Sequence, residues 1–135
     1  MVELLRAQLD HDVARIRAAL PDDFVYHDHR HVGPGRLECA DDFVGWIGAL
    51  FEQSPDAILA EPLYLVARTS DGTLSVCHTF GTLADGGGAF ESVYLQRTHF
   101  DGDRFVAVET YELEELERLR AEAAKEKTSI AANAS

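Results

Sequence analysis

Thr69-Ser70-Asp71-Gly72-Thr73, Ala84-Asp85-Gly86-Gly87-Gly88-Ala89 and Phe100-Asp101-Gly102-Asp103-Arg104 cut the second half of this chain into four runs, residues 58–69, 73–84, 89–100 and 104–111. Each run is rich in β-branched, aromatic and aliphatic residues, and each break centres on Asp and Gly. Glycine adopts the positive φ of a tight hairpin without steric cost, so Asp-Gly between such runs marks a hairpin. Three in succession predict an antiparallel meander. Runs this long exceed the usual strand, so bends or bulges are expected within them.

Upstream, Val2, Leu5, Leu9, Val13, Ile16 and Leu20 recur at steps of three and four, the stripe of one long helix or a broken pair. Pro21 stops it, and Asp22-Asp23 turns the chain. Residues 24–30 alternate as a strand, and Gly33-Pro34-Gly35 breaks it. Residues 40–53 form a second helix. Asp41 and Asp42 complement the dipole in its first turn, and Phe43, Trp46, Ile47, Leu50 and Phe51 form a wide apolar face. From Leu113 the pattern is helical again, with Leu116 and Leu119 set against Glu114, Glu115, Glu117, Arg118 and Arg120. Residues 127–135 carry no pattern and read as a loose tail. Residues 1–120 therefore read as a single domain, and 121–135 as a charged helix end and tail. The fold class is α+β: a curved antiparallel sheet wrapped around helices, leaving a cone-shaped pocket.

The 135 residues fit one domain, and 46% hydrophobic content is enough for a core. A formal charge of −12, from 24 acids and 12 bases, argues against nucleic acid and against an anionic membrane surface, since phosphate binding needs a Lys/Arg footprint. No apolar run reaches membrane length. Cys39 and Cys77 stand in no metal or redox spacing, so the expected compartment is the reducing cytoplasm.

Three segments carry a family resemblance: Asp22-Asp23-Phe24-Val25-Tyr26-His27-Asp28-His29-Arg30, then Arg36-Leu37-Glu38-Cys39-Ala40-Asp41-Asp42-Phe43, then Val108-Glu109-Thr110-Tyr111. Together with the order of elements, they make residues 1–112 resemble the nuclear-transport-factor-2-like (NTF2-like, cystatin-like) superfamily and its SnoaL-like domains. Ketosteroid isomerases, limonene epoxide hydrolases and SnoaL-type polyketide cyclases are its relatives. The family commonly has two helices before its first strand, and often Gly where Glu38 or Cys39 stands. The resemblance implies a small hydrophobic ligand, cofactor-free chemistry and a homodimer paired through the sheet.

Strand alternation places Phe24, Tyr26, Asp28 and Arg30 on one face and Val25, His27, His29 and His31 on the other. The same count groups Phe105, Ala107, Glu109 and Tyr111, and groups Val76, His78 and Phe80. Asp28 falls where the resemblance puts the general base of ketosteroid isomerases, with Arg30 as its orienter or oxyanion partner. Asp28, Arg30 and Glu109 also supply the two carboxylates and bridging arginine of limonene epoxide hydrolases. A nearby guanidinium equally holds a carboxylate ionised, so the three can instead be a structural ion network. Tyr26, Tyr94 and Tyr111 can donate to a carbonyl. His78 can act as a pocket acid or base, and Trp46 can supply a hydrophobic wall. His27, His29 and His31, with His99 or a carboxylate, have zinc-ligand chemistry. Because they lie opposite Asp28, they read as an outer or dimer-contact face, with no metal.

The functional expectation is a SnoaL-like enzyme using acid/base chemistry on an apolar carbonyl or epoxide. The second expectation is a non-catalytic ligand-binding or dimerisation module of a larger protein.

Overall fold

The computed structural model describes the backbone of residues 2–134 and the side chains of residues 2–126. The N-terminal stripe is a broken pair, α1 (Val2–Leu9) and α2 (Val13–Ala18). The break falls at His11, which takes φ 54, and Asp12 then caps α2 by accepting from the Arg15 backbone N–H. The His11 ring stacks on Phe51 with centroids 3.8 Å apart, and its Nε2 lies 2.6 Å from the Ala57 carbonyl oxygen. The break thus ties the N-terminus to the helix at 40–53.

Next come β1 (Val25–Asp28), β2 (Arg36–Leu37) and α3 (Ala40–Gln53). The long strands are β3 (Ile58–Arg68), β4 (Gly72–Thr82), β5 (Ala89–Asp101) and β6 (Arg104–Tyr111). A 3-10 turn (Leu113–Glu115) leads into α4 (Leu116–Ala134). The helix thus continues through most of the segment read as a loose tail; Ser135 and the side chains beyond Glu126 lie outside the described residues.

The sheet order is β2-β1-β6-β5-β4-β3. The three hairpins form as the Asp-Gly signals require. The expected all-antiparallel sheet is corrected in one place: β1 runs parallel to β6, with Tyr26 beside Val108 and Asp28 beside Thr110. The correction is topological. After the N-terminal helices the chain enters beside its last strand, and β2 then pairs antiparallel on the outer side of β1.

Both faces of the sheet are covered. α1, α2 and α3 pack on the concave face, where Leu4, Ile16, Phe24, Phe43 and Ile47 join one core. α4 covers the other, where Leu119 packs with Leu74, Val76 and Leu95. Irregularities bend the sheet. In β3 the pairing jumps between Ile58 and Glu61, and Ala60 there takes φ 52 while its N–H donates to Thr79 Oγ1 at 3.0 Å. In β6, Phe105 pairs with Phe100 while Ala107 pairs with His99, so Val106 is an extra residue. A bulge of this kind shifts side-chain alternation by one position.

Candidate functional site

The concave face, α1 and α3 enclose a cavity of about 200 Å³. Its apolar wall includes Phe24, Phe43, Trp46, Leu59, Phe105 and Val108. Its polar groups are Gln8, Tyr26, Arg30, Thr79, Ser92, Tyr94 and Gln96. A mostly apolar cleft with a few convergent polar groups is the usual form of a small-molecule site.

β1 places Tyr26 and Asp28 toward this side, but they have different positions. Tyr26 reaches the cavity wall, whereas Asp28 lies behind it with a side chain 0% exposed. Arg30 lies past the end of β1, and its side chain folds back over Asp28. Arg30 Nε donates to Asp28 Oδ1 at 2.9 Å and Nη2 to Oδ2 at 2.8 Å, a bidentate pair. The Arg30 backbone N–H donates to the same Oδ1 at 3.0 Å, and the Tyr26 hydroxyl approaches Oδ2 at 3.4 Å. Gly33 backs the carboxylate so closely that a Cβ there would collide with Asp28 Oδ2. The carboxylate is therefore saturated and walled off. The guanidinium lines the cavity, with Nη1 donating to Ser92 Oγ at 3.2 Å and Cζ 4.7 Å from the Tyr94 ring centroid.

Gly33→Ala is expected to cost about 2 kcal/mol, because the new methyl must displace the carboxylate or the loop and Gly33 holds φ +154. Urea unfolding checks this; a midpoint unchanged from the parent would show that the loop yields freely.

Tyr94 lies deeper, its hydroxyl 2.8 Å from Thr79 Oγ1. Burial pushes the Tyr94 phenol above its ordinary pKa, and pushes Tyr26 up to about 12. Both hydroxyls stay protonated near neutrality and can donate. Trp46 packs on Tyr26 with ring centroids 5.0 Å apart and faces the cavity from α3.

Three expected site residues lie elsewhere. Glu109, Tyr111 and His78 are on the opposite face of the sheet, so Asp28, Arg30 and Glu109 do not form one network. For Glu109 and Tyr111 the cause is the bulge at Val106. Phe105 points into the cavity, and the next residues on that face are Val108 and Thr110, not Ala107 and Glu109. His78 does share a face with Val76 and Phe80, but that face lies under or beside α4. Its Nε2 is 2.9 Å from Glu91 Oε2, and its ring stacks on Phe80. Sequence reading missed Ser92, Thr79 and Gln96. Each is a polar residue in a long strand, and nothing local marks them as convergent.

Across the sheet, His27, His29, His99, Glu109 and Tyr111 gather. Glu109 Oε1 is 3.1 Å from His29 Nε2 and accepts from the Tyr111 hydroxyl at 3.1 Å, while Oε2 is 2.7 Å from His99 Nε2. These bonds, His99 first, hold the Glu109 carboxyl down at about 2 despite its partial burial. Burial and neighbouring His29 push His27 down. His31 leaves the row: its side chain is exposed and its backbone N–H donates to Glu112.

No protein-family model matches this chain, and no curated protein matches it in sequence. Solved structures do. One is a Catenulispora acidiphila protein with a ketosteroid-isomerase-like fold, solved with trimethylamine. It is 12% identical over 85% of this chain and 86% of its own, at a TM-score of 0.66. An NTF2-like protein of Burkholderia pseudomallei is 17% identical over 87% and 92%, at 0.64. IdmH of Streptomyces antibioticus, provisionally described as a polyketide cyclase, is 19% identical over 89% and 94%, at 0.63. The fold is therefore the NTF2-like, cystatin-like one that the sequence resembles. Among the described residues, no helix is long and apolar enough to cross a membrane.

Proposed function

We propose that this NTF2-like chain binds a small, mostly apolar molecule in its cone and holds a carboxylate or carbonyl oxygen of that molecule on Arg30. The single observation that carries this reading is the position of Arg30. Among the described residues it is the one cation on the cavity wall, it is fixed from behind by Asp28, and it retains N–H groups that Asp28 and Ser92 do not take. A guanidinium held this way is preorganised, so a ligand loses little freedom in using it. Asp28 has no access to a ligand proton and serves as the positioning residue for Arg30.

A second reading adds chemistry to the same site. The fold is shared with a ketosteroid-isomerase-like protein and with IdmH, and Arg30 and the protonated Tyr26 and Tyr94 hydroxyls could stabilise a developing oxyanion. That chemistry would be isomerase- or cyclase-like carbonyl polarisation, with the base supplied by the substrate or water instead of Asp28.

Trp46 is the chain's single tryptophan and lines the cone, so its fluorescence reports this site alone. Titration with 2-naphthoate, an apolar body carrying a carboxylate, is expected to quench Trp46 saturably, and 2-methylnaphthalene to bind at least about tenfold more weakly, the equivalent of one charged hydrogen bond. Equal affinities for the two probes would remove Arg30 as the anchor. A product formed from a cyclisable polyketone, and lost in Tyr26→Phe, would favour the second reading.

A further inference from the structure

The convex face of the sheet carries a second cluster that the cone does not use. β1 runs beside β6 there, with His27 directly beside Glu109, and His29 follows on the same side. The donor atoms of His27, His29 and Glu109 all lie within 4.8 Å of one another. His29 Nε2 and Glu109 Oε1 are already 3.1 Å apart, and the two imidazole rings lie tilted by 33° with centroids 3.8 Å apart.

We propose that His27, His29 and Glu109 form a site for a first-row divalent cation of the zinc type. Two imidazoles and a carboxylate are a donor set that such ions accept, and three protein ligands leave positions open for water. Tetrahedral donors about 2.1 Å from zinc stand about 3.4 Å from each other, so the present spacing closes with small side-chain rotations. Those rotations are available, because His29 and Glu109 are 31% and 25% exposed. The ion takes the place of the ring proton that now bridges His29 and Glu109.

The surroundings are built as an outer shell. His99 Nε2 holds Glu109 Oε2 at 2.7 Å, and Asp71 Oδ2 holds His99 Nδ1 at 2.7 Å. The Tyr111 hydroxyl donates to Glu109 Oε1 at 3.1 Å, and its ring stacks on His29 with centroids 4.3 Å apart. Such partners orient a ligating carboxylate and imidazole before the ion arrives. The charge also favours a cation. Arg97 stands across from Glu109 on β5, but its Nη2 is engaged by Glu126 at 2.9 Å and Asp71 at 3.7 Å. Arg36, beside His27, is paired with Glu38. Three carboxylates, Asp71, Glu109 and Glu126, therefore face the one guanidinium of Arg97. This site is independent of the cone and of any ligand there.

Calorimetric titration of the full chain, carrying no polyhistidine tag, with zinc ion alone tests the proposal, together with the absorption spectrum of the cobalt-loaded protein. The expected result is one zinc per chain with a micromolar or tighter dissociation constant. His29→Ala and His27→Ala should each weaken it by at least about 100-fold, and His99→Gln by about 10-fold through loss of orientation. The cobalt spectrum should change intensity in Glu109→Gln. His31→Ala and His78→Ala should leave zinc binding unaltered. Circular dichroism of each variant separates lost binding from lost fold, and His29→Ala, at an exposed site, keeps the test available if Glu109→Gln unfolds. No zinc binding by the parent chain would overturn the proposal, as would binding that survives intact in both folded histidine variants.

Discussion

Asp28→Asn is expected to lower the unfolding free energy by about 3–5 kcal/mol, one of the largest losses any single side chain here can cause. The carboxylate is fully buried and meets a guanidinium that is 16% exposed. The amide that replaces it is nearly isosteric, so no cavity forms. It is neutral, however, and its NH2 is a donor facing the donors of Arg30. The guanidinium then remains largely desolvated with its counter-charge gone, and an uncompensated buried charge is what makes breaking such a pair expensive. Equilibrium urea unfolding of parent and variant measures the difference. A loss under about 0.5 kcal/mol, the size of a neutral surface substitution, would show that water or another group already screens Arg30. The general-base reading of Asp28 expects the opposite, an intact fold with only turnover affected, so this variant also decides between the two roles.

The role of Asp28 was only half legible in the sequence. Its face was readable, because four residues of β1 alternate without interruption. That Arg30 folds back on it was not. Arg30 lies beyond the strand, where alternation has no meaning, and its course is set by the turn that brings Gly33 and Gly35 against β1. The hairpins and α3 were legible because Asp-Gly breaks and a 3.6-residue stripe are local signals. β2 was not, since two residues have no period. Glu109 and Tyr111 were assigned to the cone by a count that one extra residue, Val106, reverses. His78 failed for a different reason. Both faces of β4 are covered, with Leu74 and Val76 packed on Leu119 and Cys77 buried on the cone side. Polarity alone therefore cannot say which face holds the cavity.

Combining Asp28→Asn with Arg30→Gln is expected to separate the scaffold from the binding function. The single change leaves a charge buried alone; the double change leaves none. The new amide at position 28 can still accept from the backbone N–H at position 30, as Asp28 Oδ1 does now at 3.0 Å. Its NH2 can donate to the amide oxygen at position 30. Replacing both members of a buried pair by matched neutral groups is far less costly than removing one, so the double variant should recover about 2 kcal/mol or more of what Asp28→Asn loses. Binding should not recover with it. A charge-assisted hydrogen bond contributes about 1.5–3 kcal/mol, so 2-naphthoate affinity, read through Trp46, should fall by about 10- to 150-fold relative to the parent chain. The affinity of 2-methylnaphthalene, which contacts only the apolar wall, should stay within about threefold, since that wall is untouched. If 2-naphthoate binds the stable double variant as tightly as it binds the parent, the polar head does not lie on Arg30. The anchor must then be sought among Gln8, Tyr26, Thr79, Ser92, Tyr94 and Gln96, the other polar groups of the same cavity.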